Sequence, residues 1–205
     1  MMLSVDLAYE LLKKEEVPEH IIRHSEKVAL ISLCLGSFLK HISNPLLDLR
    51  VLTVSALLHD VKKMASLKSG ENHASAGYKL MVSLGYPRVG EIIYAHIFLK
   101  LPKPDEPIKE EEIVFYADKR VKHDTIVSLR ERFSDLRERY GRTLKAIIRM
   151  RLLEEMTILL EKRLFKGLPF SPSDLNKLNK VTEVRDVLKT CLESSPDCWW
   201  DFLRA

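Results

Sequence analysis

Apolar residues recur mostly at intervals of three and four along this 205-residue chain, the period of a helix with one buried face. A short amphipathic helix is predicted over about Val5 to Lys14. Pro18 suits the first turn of a second helix, where its missing N–H costs nothing. That helix runs through His24 to about Lys40, with Ile21, Val28, Leu30, Ile31 and Leu35 as apolar positions. Asn44-Pro45 reads as a cap followed by a first-turn proline, opening a third helix that continues to about Met64. Lys68-Ser69-Gly70 is a turn. Asn72 caps a fourth helix through Leu84, ended by Gly85 and Pro87, and a fifth covers about Arg88 to Phe98. Prolines at 102, 104 and 107 impose an extended loop. A sixth helix is expected over about Glu110 to Lys122, a seventh over about Asp124 to Tyr140, and a long charged helix from about Thr143 to Phe165. Pro169 and Pro172 break the chain again, and Ser173 is placed to cap one more helix. Trp199, Trp200 and Phe202 form an aromatic terminus expected to pack on the body.

The pattern therefore predicts an all-α fold, a helical bundle with additional C-terminal helices, and the presence of only 7 glycines agrees with it. Hydrophobic residues at 46% and charged residues at 30% are ordinary for a soluble globular domain. The net charge of +4 suits an anionic small molecule as well as a nucleic acid. No basic tract with interleaved aromatics points to RNA, so nucleic acid is the less expected partner. Cys34, Cys191 and Cys198 are too few and too scattered for a disulfide framework or a thiolate metal site. Acidic residues at positions 6, 10, 15 and 16 are unlike a signal peptide, and no run approaches the roughly 18 apolar residues of a membrane span. A reducing cytoplasm, with no membrane partner, is the expected setting.

Candidate chemistry centres on His59-Asp60, at the end of the apolar run Val-Leu-Thr-Val-Ser-Ala-Leu-Leu-His-Asp-Val. A helix that apolar should be buried, and a buried imidazole or carboxylate needs a partner. A metal ion satisfies several such groups at once. His24, His73, His96 and Asp118 lie around the pair in the chain, each beside apolar helix positions. Taken singly, His24 reads as a hydrogen-bonded core histidine and His73 as a surface or capping residue. Their joint occurrence carries the argument. A second pair, His123-Asp124, has no apolar run before it and reads as a solvated surface pair. His20, four residues before His24 on the same helix face, reads as a pocket-rim group.

The set resembles the HD-domain metal-dependent phosphohydrolases. His-Ser-Glu-Lys-Val at 24–28 is similar to the family's first histidine followed four residues later by valine. Leu-Leu-His-Asp-Val-Lys-Lys is similar to its His-Asp-Ile-Gly-Lys signature, with Lys62 in place of the glycine and Lys63 at the signature lysine. Asn-His-Ala-Ser-Ala-Gly and Ala-Asp-Lys-Arg-Val are similar to its later motifs, and the resemblance spans about His20 to Leu136. It implies a metal-binding helical domain over 1–140. Residues 141–205 would then be a helical appendage that packs on the core or forms an oligomer interface.

By that resemblance His24, His59, Asp60 and Asp118 bind one divalent transition metal, and Asp60 bridges to a second held by His73 and His96. Nitrogen and carboxylate ligands without thiolate suit Fe, Mn, Co, Ni or Zn. Asp60 and Lys63 are the expected catalytic residues. Lys63, with Lys62, Lys119 or Arg120, is expected to contact a substrate phosphate. The implied activity is hydrolysis of a phosphoester or phosphoanhydride in a small molecule, nucleotides foremost, through a metal-activated hydroxide. Two alternatives share the ligand set: a mixed-valent di-iron oxygenase, and a binding or regulatory module without catalysis.

Overall fold

The computed structural model describes residues 3–100, 102, 103 and 105–204. It is an all-α fold, and the sheet among these residues is a single two-stranded hairpin. Leu101 and Pro104 of the proline loop lie outside the described residues.

Helix α1 (Val5–Lys14) starts where Ser4 Oγ accepts from the Leu7 amide at 3.1 Å, and it buries Val5, Leu7, Ala8, Leu11 and Leu12. Helix α2 (Glu19–Ile42) is the central element. From Val28 to Leu39 every residue is buried, so it is surrounded rather than laid on a surface. Helix α3 (Leu49–Leu58) packs on it and on α1. Its cap is Asp48, whose Oδ1 accepts from the amides of Arg50 (2.9 Å) and Val51 (3.0 Å), and not Asn44-Pro45. Asn44 instead ties a turn, accepting from the Leu46 amide at 3.0 Å and donating to the Ile108 carbonyl at 2.8 Å.

The predicted third helix also divides. It stops at Leu58, turns through His59-Asp60 with bonds from Val61 N to Leu58 O (3.0 Å) and Lys63 N to Asp60 O (2.9 Å), and resumes as α4 (Lys63–Ser69). On a continuous helix adjacent side chains diverge by roughly 100°. The turn relieves that constraint for His59 and Asp60. Gly70, at φ 75°, ends α4 in the left-handed region.

Helices α5 (His73–Ser83) and α6 (Pro87–Ala95) are joined by a three-residue loop and pack closely as a helical hairpin. Asn72 caps α5 as expected, accepting from Ala74 N at 3.0 Å and Ser75 N at 3.2 Å. Helix α7 (Glu110–Lys119) packs on α2, α3 and α6 and is shorter than its pattern suggested. Residues 121–126 form the hairpin β1 (Val121–Lys122) and β2 (Thr125–Ile126), paired Val121 to Ile126. Helix α8 (Leu129–Tyr140) then begins at a Ser128/Glu131 capping box.

Helix α9 (Leu144–Leu164) is capped by Thr143. Beyond it, a 3-10 stretch over Pro172–Lys180 is capped by Ser171 rather than Ser173, and α10 (Val184–Leu192) follows. Leu160, Leu164, Leu175, Leu178, Leu188 and Trp199 join the same buried cluster as α2, α3 and α7. The aromatic terminus packs on the body: Trp199 donates to Ser37 Oγ at 3.3 Å, and Phe38 meets Phe170 and Trp200 edge to face.

Candidate metal centre

Five segments converge on one buried point. His24 comes from α2, His59 and Asp60 from the turn after α3, His73 from the first residue of α5, His96 from the C-terminal cap of α6, and Asp118 from α7. His24 Nε2 lies 3.1 Å from Asp118 Oδ1, and His59 Nε2 lies 3.7 Å from it and 3.5 Å from Asp60 Oδ2. The other Asp60 oxygen faces the α5–α6 hairpin, 3.2 Å from His73 Nε2 and 3.9 Å from His96 Nε2. Two sets of ligand atoms result, His24–His59–Asp60 and Asp60–His73–His96, each within 4.8 Å, and Asp60 belongs to both.

The second ring nitrogens decide what the first can do. His24 Nδ1 meets the His123 carbonyl at 2.7 Å, His59 Nδ1 the Ala56 carbonyl at 2.8 Å, and His96 Nδ1 the Ile93 carbonyl. A carbonyl only accepts, so each Nδ1 carries the hydrogen, and a ring that holds no second proton turns an Nε2 lone pair inward. Those lone pairs face carboxylate oxygens. His59 Nε2 is fully buried with no hydrogen-bond partner. Acceptors facing acceptors in a buried site call for a cation. The donor set of imidazoles and carboxylates, with backbone carbonyls orienting the rings, fits a divalent metal ion.

Burial lowers the pKa of the His59 imidazole, but Asp60 and Asp118 outweigh it and the shift is upward, so the carboxylates draw positive charge to this point, as a proton or as a metal ion. Burial opposes the charge on Asp60, yet His59, His73 and Lys63 outweigh it and hold the carboxyl well below the usual carboxylate range. Asp118 is lowered in the same way, burial being overcome by Lys119, His24 and His59. Burial and the neighbouring His59 push the His96 imidazole down to about 3, so it is neutral at ordinary pH.

The expected phosphate-binding cations part company. Lys63 Nζ reaches Asp60 Oδ2 at 2.6 Å with its side chain 45% exposed. Lys62 instead pairs with Glu15. Lys119 is buried and donates to the His96 carbonyl (2.7 Å) and Asp118 Oδ2 (2.8 Å), so it ties α7 to the end of α6. Arg120, 2% exposed, donates to Tyr116 Oη, the Val127 and Pro172 carbonyls and Asn176 Oδ1, which joins α7 to the hairpin and the 3-10 stretch.

A cavity of about 400 Å³ opens beside the cluster, lined by His24, Asp60 and Lys63 and by groups not singled out from the sequence, including Met64, Arg132 and Tyr140. His20 lines it as well. The side chains of His123 and Asp124 stay outside both ligand sets, and Asp124 pairs with Arg23 at 3.1 Å. The His123 carbonyl is nonetheless a site group, because it orients His24. No residue type at position 123 signals a backbone contact.

No curated protein and no solved structure matches the chain. The model of the HD domain does, over residues 21–166. That span holds all six converging side chains and more than half of the chain, which therefore belongs to the HD-domain family.

Proposed function

We propose that the protein is a metal-dependent phosphohydrolase acting on a phosphoester or phosphoanhydride of a small molecule, nucleotides foremost. The observation that carries this reading is the position of Asp60, one oxygen toward His59 and the other toward His73 and His96. His24, His59, Asp60 and Asp118 would hold one ion, and Asp60, His73 and His96 a second, drawn from Fe, Mn, Co, Ni or Zn. The chemistry such ions supply when bound is acidification of water and neutralisation of phosphate charge. Asp60 orients both ligand sets. Lys119 fixes Asp118, and Lys63 at the cavity edge supplies a hydrogen-bond donor to a phosphate oxygen.

Residues 141–205 act as a buttress for the metal-binding unit of 1–140. Glu161 on α9 accepts from Tyr116 on α7 at 2.5 Å, and Arg163 meets Glu112 at 3.0 Å. The outer face of α9 exposes Leu144, Ile148, Leu152 and Leu159, which supports a homo-oligomer contact there. The three free cysteines suit a cytoplasmic setting, and no helix among the described residues is long and apolar enough to cross a membrane.

The test is release of phosphate, or of a nucleotide fragment, from a nucleotide and phosphoester panel after anaerobic purification and metal analysis. Chelation should abolish it and Asp60→Ala should remove it. The di-iron oxygenase reading requires oxygen uptake coupled to turnover, and such uptake without anaerobic hydrolysis would reject the phosphohydrolase. Metal binding with neither activity would leave the regulatory module.

A further inference from the structure

Lys63 lines the site cavity with its Nζ on Asp60 Oδ2, whereas Lys62, Lys119 and Arg120 have their charged ends engaged away from it. The fold brings in another cation. Arg132 sits in the first turns of α8, its side chain 14% exposed, on the cavity wall with Asp60 and Lys63. Its Nη1 meets Asp135 Oδ2 at 3.2 Å. Its Nε is buried and has no hydrogen-bond partner among the described residues.

A link between residues three apart on a helix is worth only a few tenths of a kcal/mol. That does not account for burying a guanidinium N–H without an acceptor. Asp135 cannot absorb the charge either, since Arg139 also pairs with it and Lys122 Nζ lies 3.9 Å away. Three cations surround one carboxylate, which leaves positive charge beside the cavity.

We propose that Arg132, together with Lys63, binds the phosphate of the substrate, and that this substrate is a phosphomonoester. The inference rests on the phosphohydrolase reading. A monoester presents three terminal oxygens and a second negative charge, a diester two oxygens and a single charge. Donors additional to a metal centre therefore gain more from the first, which offers one more terminal oxygen and one more negative charge. Met64, Leu67, Leu136 and Tyr140 form an apolar and aromatic part of the cavity wall, beside the polar His20, Arg23, Asp124 and Arg139, so the part of the substrate beyond the phosphate meets both kinds of surface.

The test uses inorganic phosphate titrated calorimetrically into the full-length, metal-free protein. Arg132→Ala should weaken phosphate binding at least about 10-fold, the scale of one charge-assisted contact. Arg132→Lys should fall between, keeping the charge and losing the planar fork. Asp135→Asn separates a binding role from a structural one: phosphate affinity should hold or rise, because a competing acceptor charge is gone. Melting curves for each variant report folding. Wild-type protein that ignores phosphate, Arg132→Ala that binds it normally, or Asp135→Asn that loses as much as Arg132→Ala would each overturn the assignment. With metal restored, p-nitrophenyl phosphate should be turned over in preference to bis(p-nitrophenyl) phosphate, and Arg132→Ala should raise KM more than it lowers kcat. Preference for the diester would overturn the monoester assignment. Turnover of neither ester beside Arg132-dependent phosphate binding would sink the hydrolase reading and support the anion site.

Discussion

His73 Nε2 and His96 Nε2 lie 3.2 Å apart, and both face the same oxygen of Asp60. His96 Nδ1 is tied to the Ile93 carbonyl, so its Nε2 offers a lone pair to this contact. His73 contributes from the start of a different helix, 23 residues earlier. The pair is the half of the site that distinguishes a two-ion centre from a one-ion centre.

Wild-type protein should accordingly bind two divalent ions by equilibrium dialysis with elemental analysis. His73→Ala and His96→Ala should each bind one. Asp60→Ala should lose both at concentrations that saturate the wild type, since it removes the carboxylate common to the two sets. Bound metal should also raise the melting temperature, by the equivalent of about 2.7 kcal/mol for each site at a hundredfold excess over its Kd. Two ions retained by both histidine variants would reject the second set.

Packing of α5 against α6 sets the distance between those rings. A Cβ built on Gly77 would lie 2.8 Å from Ile93 Cγ2, and Ile93 is fully buried and branched at Cβ. Gly77 is one helical turn from His73. Gly77→Val should push the two helices apart at a cost of about 1–3 kcal/mol. The second metal should be lost before the first. Adding Ile93→Ala makes room and should return the second ion. Calorimetric metal titration of the single and double variants checks this, and a Gly77→Val protein with two unaltered sites would contradict it.

Much of this arrangement was legible in the sequence, and the exceptions have physical causes. Helices α1, α2, α5 and α9 announce themselves by period, and α5 by its cap Asn72 as well, whereas Pro18 stands at the N-cap of α2 rather than in its first turn. The break after Leu58 has no glycine or proline to mark it; it is imposed by burial of His59 and Asp60, which only the assembled fold supplies. Residues 121–126 form strands of two residues each, too short for any alternation to show. The convergence of His24, His59, Asp60, His73, His96 and Asp118 was foreshadowed because each stands beside apolar positions. Arg132 was not, since in sequence it is one charge among many on α8, and the folded chain alone turns it to the cavity.

Position 123 gives a sharper instance. His123 has φ 56°, and it is the carbonyl of this residue, not its imidazole, that holds His24 Nδ1. Removing the side chain should therefore matter little, and straining the backbone should matter more. His123→Asn and His123→Gly should keep metal affinity within about 3-fold, because both residues tolerate the left-handed region. His123→Val should cost about 1–2 kcal/mol in chemical denaturation and weaken the ion held by His24. Loss of metal in His123→Gly equal to that in His24→Ala would show that the imidazole itself is a ligand.

A buried ion pair joins α9 to α7, the helix that carries Asp118. Glu112 has a side chain only 2% exposed and pairs with Arg163 at 3.0 Å. Burial raises its pKa, with Arg163 acting in the opposite direction. Arg163→Leu leaves the carboxylate buried without its cation and should destabilise the protein by about 3–5 kcal/mol near neutral pH. The sign of the pH dependence follows from the direction of the shift. A carboxyl whose folded pKa lies above its unfolded value takes up a proton on folding as pH falls, so folding gains stability through that window and loses it as pH rises. Removing Arg163 widens the window. The deficit of Arg163→Leu relative to wild type should therefore shrink on going from pH 8 toward pH 5 and be largest on the alkaline side. Glu112→Gln/Arg163→Leu should recover much of the loss and show no such slope, since neither residue then carries a charge. Urea melts across that pH range decide the matter: a deficit that grows as pH falls would mean that Arg163 acts through other contacts and that Glu112 does not govern the junction.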